Sequence, residues 1–151
     1  MDELLIEHLI TKTVIAIFNG SDKHQWDMVR HSLADDVLLD YSSLSGHPAA
    51  QTKADDIIAD WSDFLPKFKF TLHLISNLEI NLQGGTATVF CKGEAVHHLP
   101  NAEGGDVWKV YGTYDIELTK LGELWKVISL KFNQLYQEGN VNLPVIATAQ
   151  K

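Results

Sequence analysis

A single cysteine, Cys91, stands in 151 residues, so no disulfide can form within the chain and a reducing cytoplasm is the simplest home. Basic residues are few: 12 Lys and Arg face 20 Asp and Glu, for a formal charge of -8. That balance excludes nucleic acid as an expected partner, because phosphate binding needs clustered cations. Uninterrupted apolar runs are short everywhere, well under the ~18 residues a membrane helix needs, so no membrane partner is expected. The opening segment MDELLIEHLITKTVIAIFNG mixes Asp2, Glu3, Glu7 and Lys12 among its apolar residues and does not read as a secretory leader. Glycine-rich phosphate loops and Ser or Cys nucleophile motifs are absent, and no cofactor is expected. His97 and His98 are adjacent, but neighbours on a strand point opposite ways, so no metal site is expected. Repeats, linkers and low-complexity blocks are also missing, which leaves one domain over 1–151.

What is present is a helix-rich first half and a strand-rich second half. Leu5, Leu9, Ile10, Val14, Ile17 and Phe18 keep helical spacing over 3–18, and Asn19-Gly20 is a stop signal. Asp22 and Gln25 form a capping box for a second helix over 23–33. A short strand covers 37–43. A third helix covers 52–65, with Ala54, Ile57, Ile58, Trp61 and Leu65 on one stripe before Pro66. Strands follow at about 69–76, 78–83, 86–99, 107–120 and 124–136, with Gly84-Gly85 and Leu121-Gly122-Glu123 as hairpin turns and Gly93 as an expected bulge. The tail 137–151 carries Val141, Leu143, Val145 and Ile146, and is too apolar to be a solvated end. It is expected to lie on the sheet, the pocket mouth or a neighbouring subunit. This order predicts an α+β fold: three N-terminal helices packed on a curved antiparallel sheet, with a ligand cavity between them.

The succession helix, helix, short strand, helix, then a meander with G-x-Y-x-x-x-L and L-W-K-V segments resembles the nuclear-transport-factor-2-like (NTF2-like) superfamily over about residues 3–136. Within it the chain is similar to the SnoaL-like branch that includes scytalone dehydratase. Four residues fit the dehydratase pattern: Asp22 in D-K-H-Q-W-D, Tyr41 in L-L-D-Y-S-S, His73 in T-L-H-L-I and His98 in E-A-V-H-H-L-P. The resemblance implies a cone-shaped fold and a cofactor-free lyase. It also implies an aspartate paired with the second histidine, two acid–base histidines, and a tyrosine polarising a substrate carbonyl. Two positions depart from the pattern. Ser21 stands where the family has a second tyrosine, and Tyr114 where it has an asparagine. Scytalone itself is therefore not the expected substrate.

On this reading His98 is base and acid in turn, since an imidazole pKa near ~6.5 leaves both forms accessible. Asp22 orients it, His73 donates a second proton, and Tyr41 faces the developing oxyanion. Strand parity offers a check that does not depend on the family. Phe90, Lys92, Glu94, Val96 and His98 share one face of their strand, and Val89, Cys91, Gly93, Ala95 and His97 the other. The second set is smaller and cleaner, so parity alone buries it. The resemblance turns the first set inward, with a phase switch at Gly93. The expectation adopted is His98 inward, with His97 as the alternative. Phe90, Val96 and Glu94 would then line the cavity, Glu94 as a rival base, together with Ser21, Trp108, Val110 and Tyr114.

Each residue also has a plainer role: Asp22 as a helix cap, His73 as a packed strand residue, Tyr41 as core with its hydroxyl tied off. His8, His24, His31 and His47 fall on helices or turns and are expected to be exposed; Cys91 is expected to be a buried apolar residue. The joint occurrence of Asp22, Tyr41, His73 and His98 at the family's positions implies, by resemblance, a dehydratase or isomerase acting on a small hydrophobic cyclic carbonyl or hydroxy compound. The alternative is a non-catalytic module that binds a ligand or dimerises, and a third reading is a subunit of a larger enzyme. A homodimer through the outer sheet face, which carries Tyr111, is expected.

Overall fold

The computed structural model describes residues 2–150. Helix α1 (Glu3–Asp22) leads into α2 (Trp26–Ser32), strand β1 (Leu33–Asp40), the one-turn α3 (Ser42–Ser45), strand β2 (Ala50–Lys53) and α4 (Ala54–Phe64). A 3-10 turn at Leu65–Lys67 delivers the chain to β3 (Phe70–Gln83), β4 (Thr86–His98), β5 (Val107–Leu121) and β6 (Leu124–Gly139), and α5 (Leu143–Ala149) follows. The six strands form one unclosed curved sheet in the order β2-β1-β6-β5-β4-β3. Only β1 and β6 run parallel; the other neighbours are antiparallel.

The fold is α+β, as expected, but the helices do not precede the sheet as a block. β1 and β2 interleave with them and join the sheet beyond β6. α1 also runs past the Asn19-Gly20 stop signal to Asp22. Gly20 is needed there for closeness, not for termination. A Cβ on it would lie 2.8 Å from Val29 Cγ2, so its missing side chain lets α2 pack against α1. The cap of α2 is Gln25, which makes no side-chain capping bond, and Asp22 is free for other work.

α1 buries Ile10, Val14 and Ile17 completely, at helical spacing, against the concave face of the sheet. The sheet answers with Val89, Cys91, Val110, Ile116, Leu118, Val127, Leu130 and Phe132, all buried. Each such side chain contributes about 1.5–3 kcal/mol on leaving water, and together they anchor the helices over the sheet. Burial pushes the Cys91 thiol up to about 12, with Asp115 adding to the effect, which fits an inert packing role. β4 pairs with β5 without a break from Thr86 to His98. The expected bulge at Gly93 is therefore not there; the bulge lies on β3, between Ser76 and Glu79, where Asn77 takes φ 57°. Further irregularities fall at Tyr111/Gly112 and Glu117/Leu118 between β5 and β6, and between Leu33 and Leu38 where β1 pairs with β6. Such insertions bend a strand and help to curl the sheet.

The tail packs on its own chain. Leu143 and Ala147 of α5 are fully buried in the core. Asn140 Nδ2 donates to the Glu103 and Gly105 carbonyls at 3.0 and 2.8 Å, tying the tail to the β4–β5 loop. No helix among the described residues is long and apolar enough to cross a membrane.

Candidate functional site

Between the helices and the concave face lies a hollow of about 270 Å³. Helix α1 lends it Ile17, Phe18 and Ser21; α3 and its flank lend Tyr41, Leu44 and Ser45. Trp61, Phe64 and Leu65 close the α4 side. The sheet supplies His73, Ala95, His97, Trp108, Val110, Tyr114 and Phe132. The lining is mostly apolar and aromatic with a few convergent polar groups, the usual character of a small-molecule site.

Asp22, the last residue of α1, reaches across to β3. Its Oδ1 accepts from His73 Nδ1 at 2.7 Å and from the Thr71 hydroxyl at 2.8 Å, and its Oδ2 accepts from the His73 backbone N–H at 2.7 Å. Both side chains are largely shielded, 14% and 15% exposed. Burial pushes the Asp22 carboxyl up, but the bonds and charge of His73 and the Thr71 hydroxyl outweigh it, and the net pKa is lowered. An ionised carboxylate only accepts, so His73 carries a proton on Nδ1, and the neutral ring keeps its lone pair on Nε2. Among the described residues no fully buried side-chain nitrogen or oxygen lacks a partner. His73 Nε2 makes no protein bond, and the residue lines both this hollow and a second recess between α1 and β3.

Tyr41 and Tyr114 bring two phenols to the same hollow. Burial raises both pKa values, and each ring acts on the other's ionisation. Both stay protonated donors at neutral pH. Tyr114 is fixed by an edge contact with Phe18 at 4.9 Å and by Phe132 at 4.9 Å. Gly93 makes room for that ring: a Cβ there would meet Tyr114 Cε2 at 2.5 Å. Ser21 lines the wall, but its hydroxyl donates to the Ile17 carbonyl at 2.7 Å and is occupied.

The structure redistributes the expected site. Asp22, His73, Tyr41, Tyr114, Trp108, Val110 and Ser21 are brought together around the hollow or its supporting bonds. His98, Glu94, Val96 and Phe90 are not. They lie on the outer face of β4, because the unbroken β4–β5 register keeps strict alternation and turns His97 inward. His98 stacks on Phe70 at 5.0 Å, and Glu94 acts on Tyr111 of the neighbouring strand. Asp22 thus pairs with the first histidine, not with His98. Phe18, Trp61, Phe64, Ala95, His97 and Phe132 line the hollow without having been singled out as its lining. For Ala95 and His97 the signal was the cleaner parity set. For Phe18, Trp61 and Phe64 it was only an apolar helical stripe, which looks the same whether it faces a core or a cavity. Among the described residues no group of three His, Cys, Asp or Glu side chains is placed to hold a metal ion. His8, His24, His31 and His47 are exposed.

The SnoaL-like domain pattern matches residues 2–131. No curated protein matches the chain in sequence. Among solved structures, the Kfla4162 protein of Kribbella flavida is 26% identical, with 95% of this chain and 99% of that one covered and a TM-score of 0.90. A protein provisionally named scytalone dehydratase from Novosphingobium aromaticivorans is 18% identical, covering 90% and 88%, with a TM-score of 0.75. The hexachlorocyclohexane dehydrochlorinase LinA-type3 of Novosphingobium barchaimii is 17% identical, covering 90% of each chain, with a TM-score of 0.73. With an unclosed curved sheet under its helices and the SnoaL-like pattern running over most of its length, the chain belongs to the SnoaL-like domain family, in the NTF2-like superfamily.

Proposed function

We propose that this chain is a cofactor-independent lyase or isomerase that removes a proton from carbon in a small, largely apolar cyclic carbonyl or hydroxy compound, with the Asp22–His73 pair as the base. The observation that carries this reading is the 2.7 Å bond from His73 Nδ1 to Asp22 at the wall of an apolar hollow, which fixes Nδ1 as the donor, so that in the neutral ring Nε2 is the free lone pair. In the elimination, Nε2 takes the proton from the carbon next to the carbonyl. The C–H electrons form the new carbon–carbon double bond, and the hydroxyl departs with its bonding pair. The imidazolium then returns its proton to that oxygen, giving water and the resting pair. Asp22 stabilises the imidazolium while it lasts. Tyr41 and Tyr114 donate hydrogen bonds to the carbonyl oxygen as negative charge builds there. In the isomerase variant, the same proton returns to a different carbon. Fold relatives named as a dehydratase and a dehydrochlorinase both remove H–X from carbon, which is consistent with this class.

The test needs no known substrate. A panel of cyclic ketones is incubated with the protein in D2O and exchange at the carbon next to the carbonyl is followed by NMR. The expected result is acceleration by the native chain and a loss of at least ~10²-fold in His73→Gln. Exchange at the native rate in that variant removes the assignment.

A second reading is a binding module using the same hollow. It is favoured by Ser21, whose hydroxyl is spent on the helix and offers the ligand nothing. Tight binding of panel members with no exchange at any pH supports it. We also propose a homodimer through the outer face, where Phe70, Leu72 and Leu74 are 43–54% exposed in a row on β3. A sedimentation mass near 16.9 kDa contradicts it.

A further inference from the structure

His97 has no part in the proton transfer described above, yet it is a nearly buried titratable side chain in the wall of the hollow. It is 5% exposed, with its ring stacked on Trp108 at 4.2 Å, tilted against Phe68 at 5.1 Å and edge-on to His73 at 6.2 Å. Its Nδ1 lies 3.1 Å from the Trp108 carbonyl oxygen. A carbonyl has no proton to give, so Nδ1 must hold the hydrogen. That fixes the tautomer: Nε2 is a bare lone pair. Nε2 has no protein partner, and no fully buried side-chain nitrogen among the described residues is left without one, so Nε2 faces the hollow. A half-turn of the ring would keep the Trp108 stack but give up the bond to the carbonyl.

We propose that His97 is a specificity-determining acceptor: a fixed, neutral imidazole whose Nε2 receives a hydrogen bond from a hydroxyl on the ring of the ligand. This rests on the reading of the hollow as a substrate site and adds the chemical class it selects, a hydroxylated ring over its ether or hydrocarbon counterpart. Ligands that offer only acceptors are rejected at this position, because they would strand two facing lone pairs in an apolar enclosure. Burial supports the neutral form, holding the His97 pKa down at about 4; nearby His73 adds to this, while the Trp108 carbonyl and Asp22 oppose it. The tyrosines of the hollow are donors and the two histidines are acceptors. A ligand carrying a carbonyl at one end and a hydroxyl at the other would match both.

The experiment uses the intact chain labelled with ¹⁵N in histidine, with 2-naphthol and 2-methoxynaphthalene as matched probes. Without probe, His97 is expected to show the proton on Nδ1 and none on Nε2 between about pH 5 and about pH 8. 2-Naphthol is expected to move the Nε2 signal and to bind about 3- to 10-fold tighter than the methyl ether, the span of one net hydrogen bond. His97→Leu is expected to erase that preference and His97→Gln, which keeps an acceptor, to retain part of it. His73→Gln is expected to leave the preference intact, so failure of the base and failure of the acceptor give different results. A proton on Nε2, uptake of a second proton in that pH range, or a native chain that does not distinguish the two probes overturns the proposal.

Discussion

The two faces of β4 each carry a histidine near the strand's end, and the two rings live in different solvents. On the inner face, Ala95 and His97 look into a hollow walled by Tyr114, Trp108 and Phe132. On the outer face, Glu94, Val96 and His98 are half-exposed, with Phe70 and Tyr111 as neighbours. Inside, one hydrogen bond decides a tautomer and water cannot substitute for a lost partner. Outside, water can. The same imidazole is therefore a chemical device at 97 and a surface ring at 98.

The largest test of that contrast is catalytic. In the exchange assay His73→Gln and Asp22→Asn are expected to lose ~10²- to 10⁴-fold, while His98→Gln stays within about twofold of the native rate. A large loss in His98→Gln would mean the faces have been assigned the wrong way round. Next in size is the pH dependence of stability. His97 is neutral when folded, with a pKa of about 4 against 6.5 for the free side chain. The unfolded chain therefore binds a proton first, and stability falls as pH drops from 6.5 towards 4, by up to ~3 kcal/mol. Asp22 acts in a separate window: its lowered pKa supports the fold above the ordinary value of 3.8 and is lost as pH falls through the folded value. Urea titrations of the native chain and His97→Phe check this; the variant is expected to lack the upper phase. Gly93→Ala comes third. Its methyl would press on the Tyr114 ring, and a cost of about 1–3 kcal/mol is expected, against less than ~0.5 kcal/mol for Gly85→Ala, which meets nothing within 4 Å. His98→Ala comes last among the site variants, expected to change stability by less than about 1 kcal/mol in the same titration.

The long strands were readable because their outer residues alternate with a buried set and glycine turns punctuate them. β2 was not: Ala-Gln-Thr-Lys has no apolar alternation, and as an edge strand only Thr52 is partly covered. α5 was hidden because seven residues show too little periodicity, and only its packing makes it a helix. In the site, Asp22, His73 and Tyr41 were picked out by resemblance to the dehydratase pattern, and Tyr114 as a departure from it, but the pairing was not legible. Which histidine meets the carboxylate depends on strand phase, and phase turns on whether one residue bulges. The bulge sits at Asn77 on β3, where no glycine announces it, and Gly93 is small to admit a ring. Parity at 89–97 had the phase right on its own.

Asp22 is the final residue of a 20-residue helix. Peptide dipoles summed along α1 put their negative pole at that end, the least welcoming place for a carboxylate and a favourable one for a cation. Any proton gained by His73, 2.7 Å away, would relieve both charges at once. The last turn of α1 and a side chain on β3 are thus joined through one carboxylate, and a helix frayed at that turn would loosen its hold on the His73 ring.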